Sequence, residues 1–260
     1  MLTAYDAPTA EILEEQGADV LLVGDSVGMV LLGYDSTVPV TMDEMVHHAR
    51  AVRRGAKKSF LIGDLPLKGV QKGPAQTLVS ARRFLREAGC QAVKLEWSRH
   101  CLESVRLLKK NRIPVMGHLG LTPQSAAREG GYRVRAQQAV QALELVKHAQ
   151  DLEKAGAFSV LLECVPSPVA KAVTERLSIP TFGIGAGPDC DGQVLVFQDV
   201  VGAFKKFRPR FVRRYADTRA AMEKAAGRFI QDVRRGRFPG KKESFGMNKE
   251  ESARFKGMLR

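Results

Sequence analysis

Compact apolar runs alternate along the chain with longer stretches in which apolar and small residues recur at helical spacing. The runs at 20–23, 60–63, 92–95, 115–117, 159–162 and 181–184 lack polar alternation, which predicts parallel strands covered on both faces. Residues 2–5 read as part of another strand, and 194–197 as a weaker candidate for the last. Between the runs, 75–88 and 139–155 carry apolar or small residues at helical spacing and stop at Gly89 and Gly156. One joint repeats: a helix ends in Gly, one or two residues follow, and a strand begins, as at Gly17, Gly89 and Gly156. This repetition predicts a (β/α)8 TIM barrel rather than a segregated α+β fold. A doubly wound open sheet ranks second, because no Gly-x-Gly-x-x-Gly follows the first strand.

Composition narrows this picture. The 260 residues, 44% hydrophobic, suit one barrel with a full core. The expected division is a single catalytic barrel over residues 1–240 and a polar, basic, loosely held tail over 241–260. No apolar run reaches the roughly 20 residues of a membrane helix, and the N-terminus lacks the basic and apolar segments of a signal peptide. A cytoplasmic protein with no membrane partner is expected. Cys90, Cys101, Cys164 and Cys190 have no CxxC spacing, so reduced thiols are expected rather than a zinc knuckle or a disulfide framework. The net charge of +13 is uneven: residues 201–260 hold 18 Lys+Arg against 6 Asp+Glu, leaving 23 against 22 in the first 200. Polyanion binding is one use of such a segment, but aromatic residues do not interleave with the basic ones, and a solvated helical face is the better reading.

The chemistry sits where the apolar runs end. The run at 20–23 leads into Gly24-Asp25-Ser26, that at 60–63 into Asp64, and that at 159–162 into Glu163. The run at 92–95 carries Lys94 and leads into Glu96, and that at 115–117 leads into His118. Barrel enzymes keep their active sites at the C-terminal ends of the strands. One strand-end carboxylate is often a helix cap or half of a salt bridge, but ionisable groups on five successive strands point to a site. Asp25, Asp64 and Glu96 are hard oxygen donors of the kind that suit Mg²⁺. A lysine inside a strand needs a partner, and Glu96 or a bound carboxylate is the expected one.

These residues also lie within a specific resemblance. Thr3-Ala4-Tyr5-Asp6, Val23-Gly24-Asp25-Ser26-Val27-Gly28-Met29, Asp64-Leu65-Pro66, Val93-Lys94-Leu95-Glu96, Gly117-His118-Leu119-Gly120-Leu121-Thr122-Pro123-Gln124 and Leu162-Glu163-Cys164-Val165-Pro166 occur in this order. The chain from residue 3 to about 245 thereby resembles the ketopantoate hydroxymethyltransferase family. The resemblance implies a barrel of the phosphoenolpyruvate/pyruvate type. It implies transfer of a hydroxymethyl group from 5,10-methylenetetrahydrofolate to 3-methyl-2-oxobutanoate, giving 2-dehydropantoate. It implies Mg²⁺ held by Asp25 and Asp64, with Glu96 acting through water, the oxo acid held by Asp25, Ser26, Asp64, Lys94 and His118, and Glu163 as general base. A homo-oligomer, often a decamer, is implied as well.

Some segments depart from the family's pattern. Only Met1 and Leu2 precede Thr-Ala-Tyr-Asp, so a helix and part of strand one are expected to be missing. Trp97-Ser98 stands where glycines are usual, and the loop after Gly131-Tyr132 differs. Gly183-Ile184-Gly185-Ala186-Gly187 has the wrong spacing for a dinucleotide cradle and reads as a close-packed loop at the barrel mouth. The alternative activity is that of a Mg-dependent 2-oxo acid lyase on the same kind of barrel, which needs no folate.

Overall fold

The computed structural model describes residues 1–124, 131, 133–205 and 209–260. Eight strands form one parallel sheet in sequence order: β1 (Leu2–Thr3), β2 (Val20–Val23), β3 (Phe60–Asp64), β4 (Ala92–Glu96), β5 (Val115–Gly120), β6 (Ser159–Glu163), β7 (Thr181–Ile184) and β8 (Gly192–Gln193). The sheet closes on itself. Leu2 bridges Leu195 in parallel, and the Thr3 N–H donates to Leu195 O at 3.2 Å. The short β1 thus has a neighbour on each side, and the sheet is closed at this seam.

Helices form where sequence and capping agree. The helix Met42–Gly55 opens with a capping box: Glu44 N donates to Thr41 Oγ1, and Thr41 N donates to Glu44 Oε2 at 2.7 Å. It buries Met45, Ala49 and Val52, a stripe at helical spacing, against the outside of the barrel. The helices Pro74–Ala88 and Ala139–Ala155 end at Gly89 and Gly156, both in the left-handed region, as the repeated joint predicts. Two strand glycines let helices approach. A Cβ on Gly63 would lie 2.5 Å from Phe84 Cδ1, and one on Gly117 would lie 2.6 Å from Leu152 Cδ1.

Strand alternation sorts the side chains into two cores. Outward residues such as Leu21, Leu61, Val93, Val115 and Val160 pack under the helices. Inward residues Leu22, Ile62, Ala92, Met116 and Leu161 fill the barrel floor. The next inward positions toward the C-terminal ends are Asp64, Lys94, His118 and Glu163.

The structure corrects several boundaries. β3, β4, β5 and β6 run one to three residues beyond the apolar runs, because their polar and glycine residues stay in the ladder: Asp64 pairs with Lys94, Glu96 with His118 and Gly120 with Glu163. The last strand is Gly192–Gln193, not 194–197. There Gly192 admits the Phe182 ring, against which a Cβ would stand 2.7 Å from Cε1. Residue 197 instead starts the short helix Phe197–Val200, its N–H donating to Thr3 Oγ1 at 3.0 Å. The tail contains a helix, Lys249–Met258, fastened by the Asn248 side chain accepting from Glu251 N at 2.8 Å. Its order is local capping rather than an apolar stripe, so periodicity gave no sign of it. All four cysteines are free, and no helix among the described residues is long and apolar enough to cross a membrane.

Candidate active site

The inward polar residues meet at the C-terminal mouth of the barrel. A cavity of about 330 Å³ opens there, lined at its base by Asp25, Ser26, Asp64, Lys94, His118 and Glu163. Each side chain is aimed by its strand. Asp64 and Lys94 face inward from paired positions of β3 and β4, and His118 and Glu163 face inward from β5 and β6. Asp25 and Ser26 lie in the turn after β2, where the Val27 N–H closes on Gly24 O at 3.1 Å.

The contacts divide the site into two linked groups. In the first, Lys94 Nζ donates to Asp64 Oδ1 at 2.6 Å, and the Asp25 N–H donates to Asp64 Oδ2 at 3.1 Å. The partner of Lys94 is therefore Asp64 and not the expected Glu96. In the second, the His118 ring stands between two carboxylates, with Nε2 3.1 Å from Glu163 Oε2 and Nδ1 3.6 Å from Glu96 Oε1. Neither ring nitrogen has an aligned hydrogen bond, so these are charge contacts. Glu96 lies behind the cavity and does not line it.

Burial and charge set the protonation states. Burial pushes the Asp25 carboxyl well above its ordinary range, and the neighbouring Asp64 charge adds to this. Burial works to lower the Lys94 ammonium, but Asp64, Glu96 and Asp25 outweigh it and hold the proton more tightly than usual. Burial and the Lys94 charge also oppose protonation of His118, yet Glu163 and Glu96 raise the imidazole to about 9, so it is cationic at neutral pH.

Sequence reading left two buried participants without a role. The Tyr5 hydroxyl shares a 2.8 Å hydrogen bond with Ser26 Oγ. Gln124 reaches both Asp25 and Glu96. Both residues stand inside the motifs quoted above, but a neutral side chain in a motif does not announce its contacts. Tyr132 lies outside the described residues. Trp97 stacks on His148, with ring centroids 4.1 Å apart. The Gly183–Gly187 stretch is close-packed: a Cβ on Gly185 would stand 2.6 Å from Phe211 Cδ1.

A sequence model of ketopantoate hydroxymethyltransferase matches residues 1–241. The chain belongs to this family. Similar relatives include a 3-methyl-2-oxobutanoate hydroxymethyltransferase of Oleidesulfovibrio alaskensis, 50% identical over 98% of this chain and 88% of the relative. Another, from Thermus thermophilus, is 52% identical over 94% of this chain and 93% of its own. Among solved structures, phosphonopyruvate hydrolase in complex with oxalate and Mg²⁺ matches with a TM-score of 0.60 at 15% identity, covering 93% of this chain and 87% of the other. A 2,3-dimethylmalate lyase of the PEP mutase/isocitrate lyase superfamily also matches at 0.60, with 16% identity over 99% and 89%. At this identity the structural matches bear on the fold alone, and they agree with a parallel α/β barrel. For a ketopantoate hydroxymethyltransferase family member, the inward residues of β3 to β6 fall within the matched region.

Proposed function

We propose that this family member transfers a hydroxymethyl group from 5,10-methylenetetrahydrofolate to 3-methyl-2-oxobutanoate, giving 2-dehydropantoate, with Glu163 as base. The observation that carries the reading is the 3.1 Å contact of Glu163 with His118 at the base of a cavity that also holds Lys94. Lys94 and His118 place positive charge beside the oxo acid, where negative charge develops on the keto oxygen. Glu163, aimed inward by β6, takes the proton from C3. C3 then forms its bond to the one-carbon unit. Both bonds from that unit to the two folate nitrogens break, each nitrogen takes a proton, one from C3 by way of Glu163 and one from water, and the hydroxide left by that water supplies the hydroxyl.

The donor set also fits a magnesium ion. Three buried carboxylates, Asp25, Asp64 and Glu96, lie near the buried Lys94 ammonium and the His118 ring, and Glu96 Oε1 makes no hydrogen bond, standing 3.6 Å from His118 Nδ1. Among the described residues no three His, Cys, Asp or Glu side chains close into a cage. Magnesium, which keeps several waters and needs only one or two carboxylates, does not require one. Asp25 and Asp64 would hold it from the cavity side, with Glu96 behind. When bound, it would supply a hard Lewis acid for the substrate's carboxylate and keto oxygens.

The upper cavity suits the folate. Its wall is apolar, formed by residues such as Met29, Val30, Leu121 and Phe211, with Arg133 and Arg210 also lining it. A flat ring system packs on such a wall, and the arginines match the carboxylates of a glutamyl tail. We place the protein in the cytoplasm, working as a homo-oligomer.

Purified protein would be incubated with 3-methyl-2-oxobutanoate, methylenetetrahydrofolate and Mg²⁺, and 2-dehydropantoate quantified. Glu163→Gln is expected to lower turnover by about 10²–10⁴-fold, and Asp64→Asn to lower it as well. No product from a folded parent sinks the transferase reading. Folate-independent cleavage of a 2-oxo acid would favour the lyase instead. Full turnover by Glu163→Gln would remove that residue as the base.

A further inference from the structure

We propose that Gln124 is a positioning residue whose side chain aims the Asp25 carboxylate toward the cation, while its backbone steadies Glu96 behind it. This rests on the metal reading given above.

Gln124 follows β5 on the stretch that crosses the barrel mouth, and it is 6% exposed. Its backbone N–H donates to Glu96 Oε2 at 3.2 Å. Its side-chain Nε2 donates to Asp25 Oδ2 at 2.9 Å and to Leu65 O at 2.9 Å. One residue from beyond β5 therefore ties together the ends of β2, β3 and β4. The amide orientation follows from Leu65 O, a carbonyl that can only accept, so the NH₂ group must face it.

The choice of a neutral donor matters. Asp25 and Glu96 are buried, and each needs a donor to hold one oxygen in place. A lysine or arginine here would satisfy them but would cancel the negative charge that attracts a cation. Glutamine occupies one oxygen of each carboxylate, through its side chain and its backbone, and leaves the charge intact. On the Glu96 side the remaining oxygen, Oε1, makes no hydrogen bond and faces the His118 ring at 3.6 Å. That arrangement is expected of an outer group that orients ligands rather than neutralising them. The third donation, to Leu65 O, fixes the amide itself. Leu65 is held in turn by its N–H to Lys94 O at 3.0 Å.

The test is metal affinity, measured by calorimetric titration of the full chain with Mg²⁺ and by Mn²⁺ electron paramagnetic resonance, both without substrates. Gln124→Met keeps the length and removes the side-chain donors. Gln124→Asn keeps the amide but withdraws it by one methylene. Both variants are expected to bind the ion about 10–100-fold more weakly. The apparent KM for Mg²⁺ should rise by a similar factor, with kcat partly restored at saturating Mg²⁺. A merely structural residue would lower the melting temperature and leave the ion's dissociation constant unchanged. A dissociation constant within twofold of the parent's in either folded variant overturns the proposal. A parent that binds neither ion overturns the metal reading itself, which is a different result. Should Gln124→Met not fold, Gln124→Asn carries the same criterion.

Discussion

The barrel floor and the barrel mouth are built from the same strands, two residues apart. Ile62 precedes Asp64 on β3, Ala92 precedes Lys94 on β4, Met116 precedes His118 on β5, and Leu161 precedes Glu163 on β6. All eight face inward, yet the first member of each pair lies in a buried apolar cluster and the second lies among charges. The floor is held by dispersion and exclusion of water, which tolerate many apolar combinations. The mouth is held by charges that are stable only in each other's company. The same alternation thus delivers an apolar layer and a charged layer.

The sharpest way to break the contrast is to move a charge down one layer. Ile62→Asp places a carboxylate in the floor beside Leu22 and Ala92, one layer below the Asp64–Lys94 pair. At neutral pH this should cost about 5 kcal/mol, since such a group must either stay ionised in an apolar setting or take up a proton. Urea unfolding reads the loss, and a cost below about 1 kcal/mol would mean that the floor is not dry.

A smaller effect is expected from removing the cation of the mouth. Lys94→Met leaves Asp25, Asp64 and Glu96 buried without the ammonium that stands 2.6 Å from Asp64. The expected destabilisation is about 3 kcal/mol at pH 7, the low end for breaking a buried pair. Unchanged or increased stability would show that the site carries its negative charge without help from Lys94.

The smallest effect separates two kinds of carboxylate. Asp25, at the mouth, is pushed up by burial and like charge. Glu14, on the opposite side of the barrel, accepts backbone hydrogen bonds from Ser59, Lys57 and Lys58, and these lower it to about 2. A lowered acid stabilises the fold above its unfolded value of 4.5, and this stabilisation is lost as the pH falls from there toward 2. Glu14→Gln should flatten that part of the stability profile and leave the neutral region nearly unchanged. Equal acid sensitivity in parent and variant would show that these hydrogen bonds do not hold in solution.

Much of this contrast was legible before the structure. Apolar runs located the body of six strands, and the helix–glycine–strand joint identified the barrel. The charged residues that follow the runs located the mouth, because few other needs put ionisable groups at five successive strand ends. What pattern reading missed were the places where local chemistry and ladder geometry disagree. Asp64, Glu96 and Glu163 lie within strands although they are not strand formers, because the hydrogen-bond ladder continues past the apolar residues. Gly192 forms the last strand because a partner's ring needs the space. The helix Lys249–Met258 is capped rather than amphipathic.

Periodicity and residue chemistry, which are local, determined the fold class, the rim where ionisable groups gather and the set of groups available there. The family's motifs added the expected roles. Which groups meet was decided only by the closed barrel: Lys94 on Asp64 rather than Glu96, His118 between Glu96 and Glu163, and Gln124 across Asp25, Leu65 and Glu96. The physical reason is that a buried ion takes its partner from the adjacent strand or crossing loop, tens of residues away in sequence. Strand register and side-chain reach choose that partner, and neither is written in the spacing of residues along the chain.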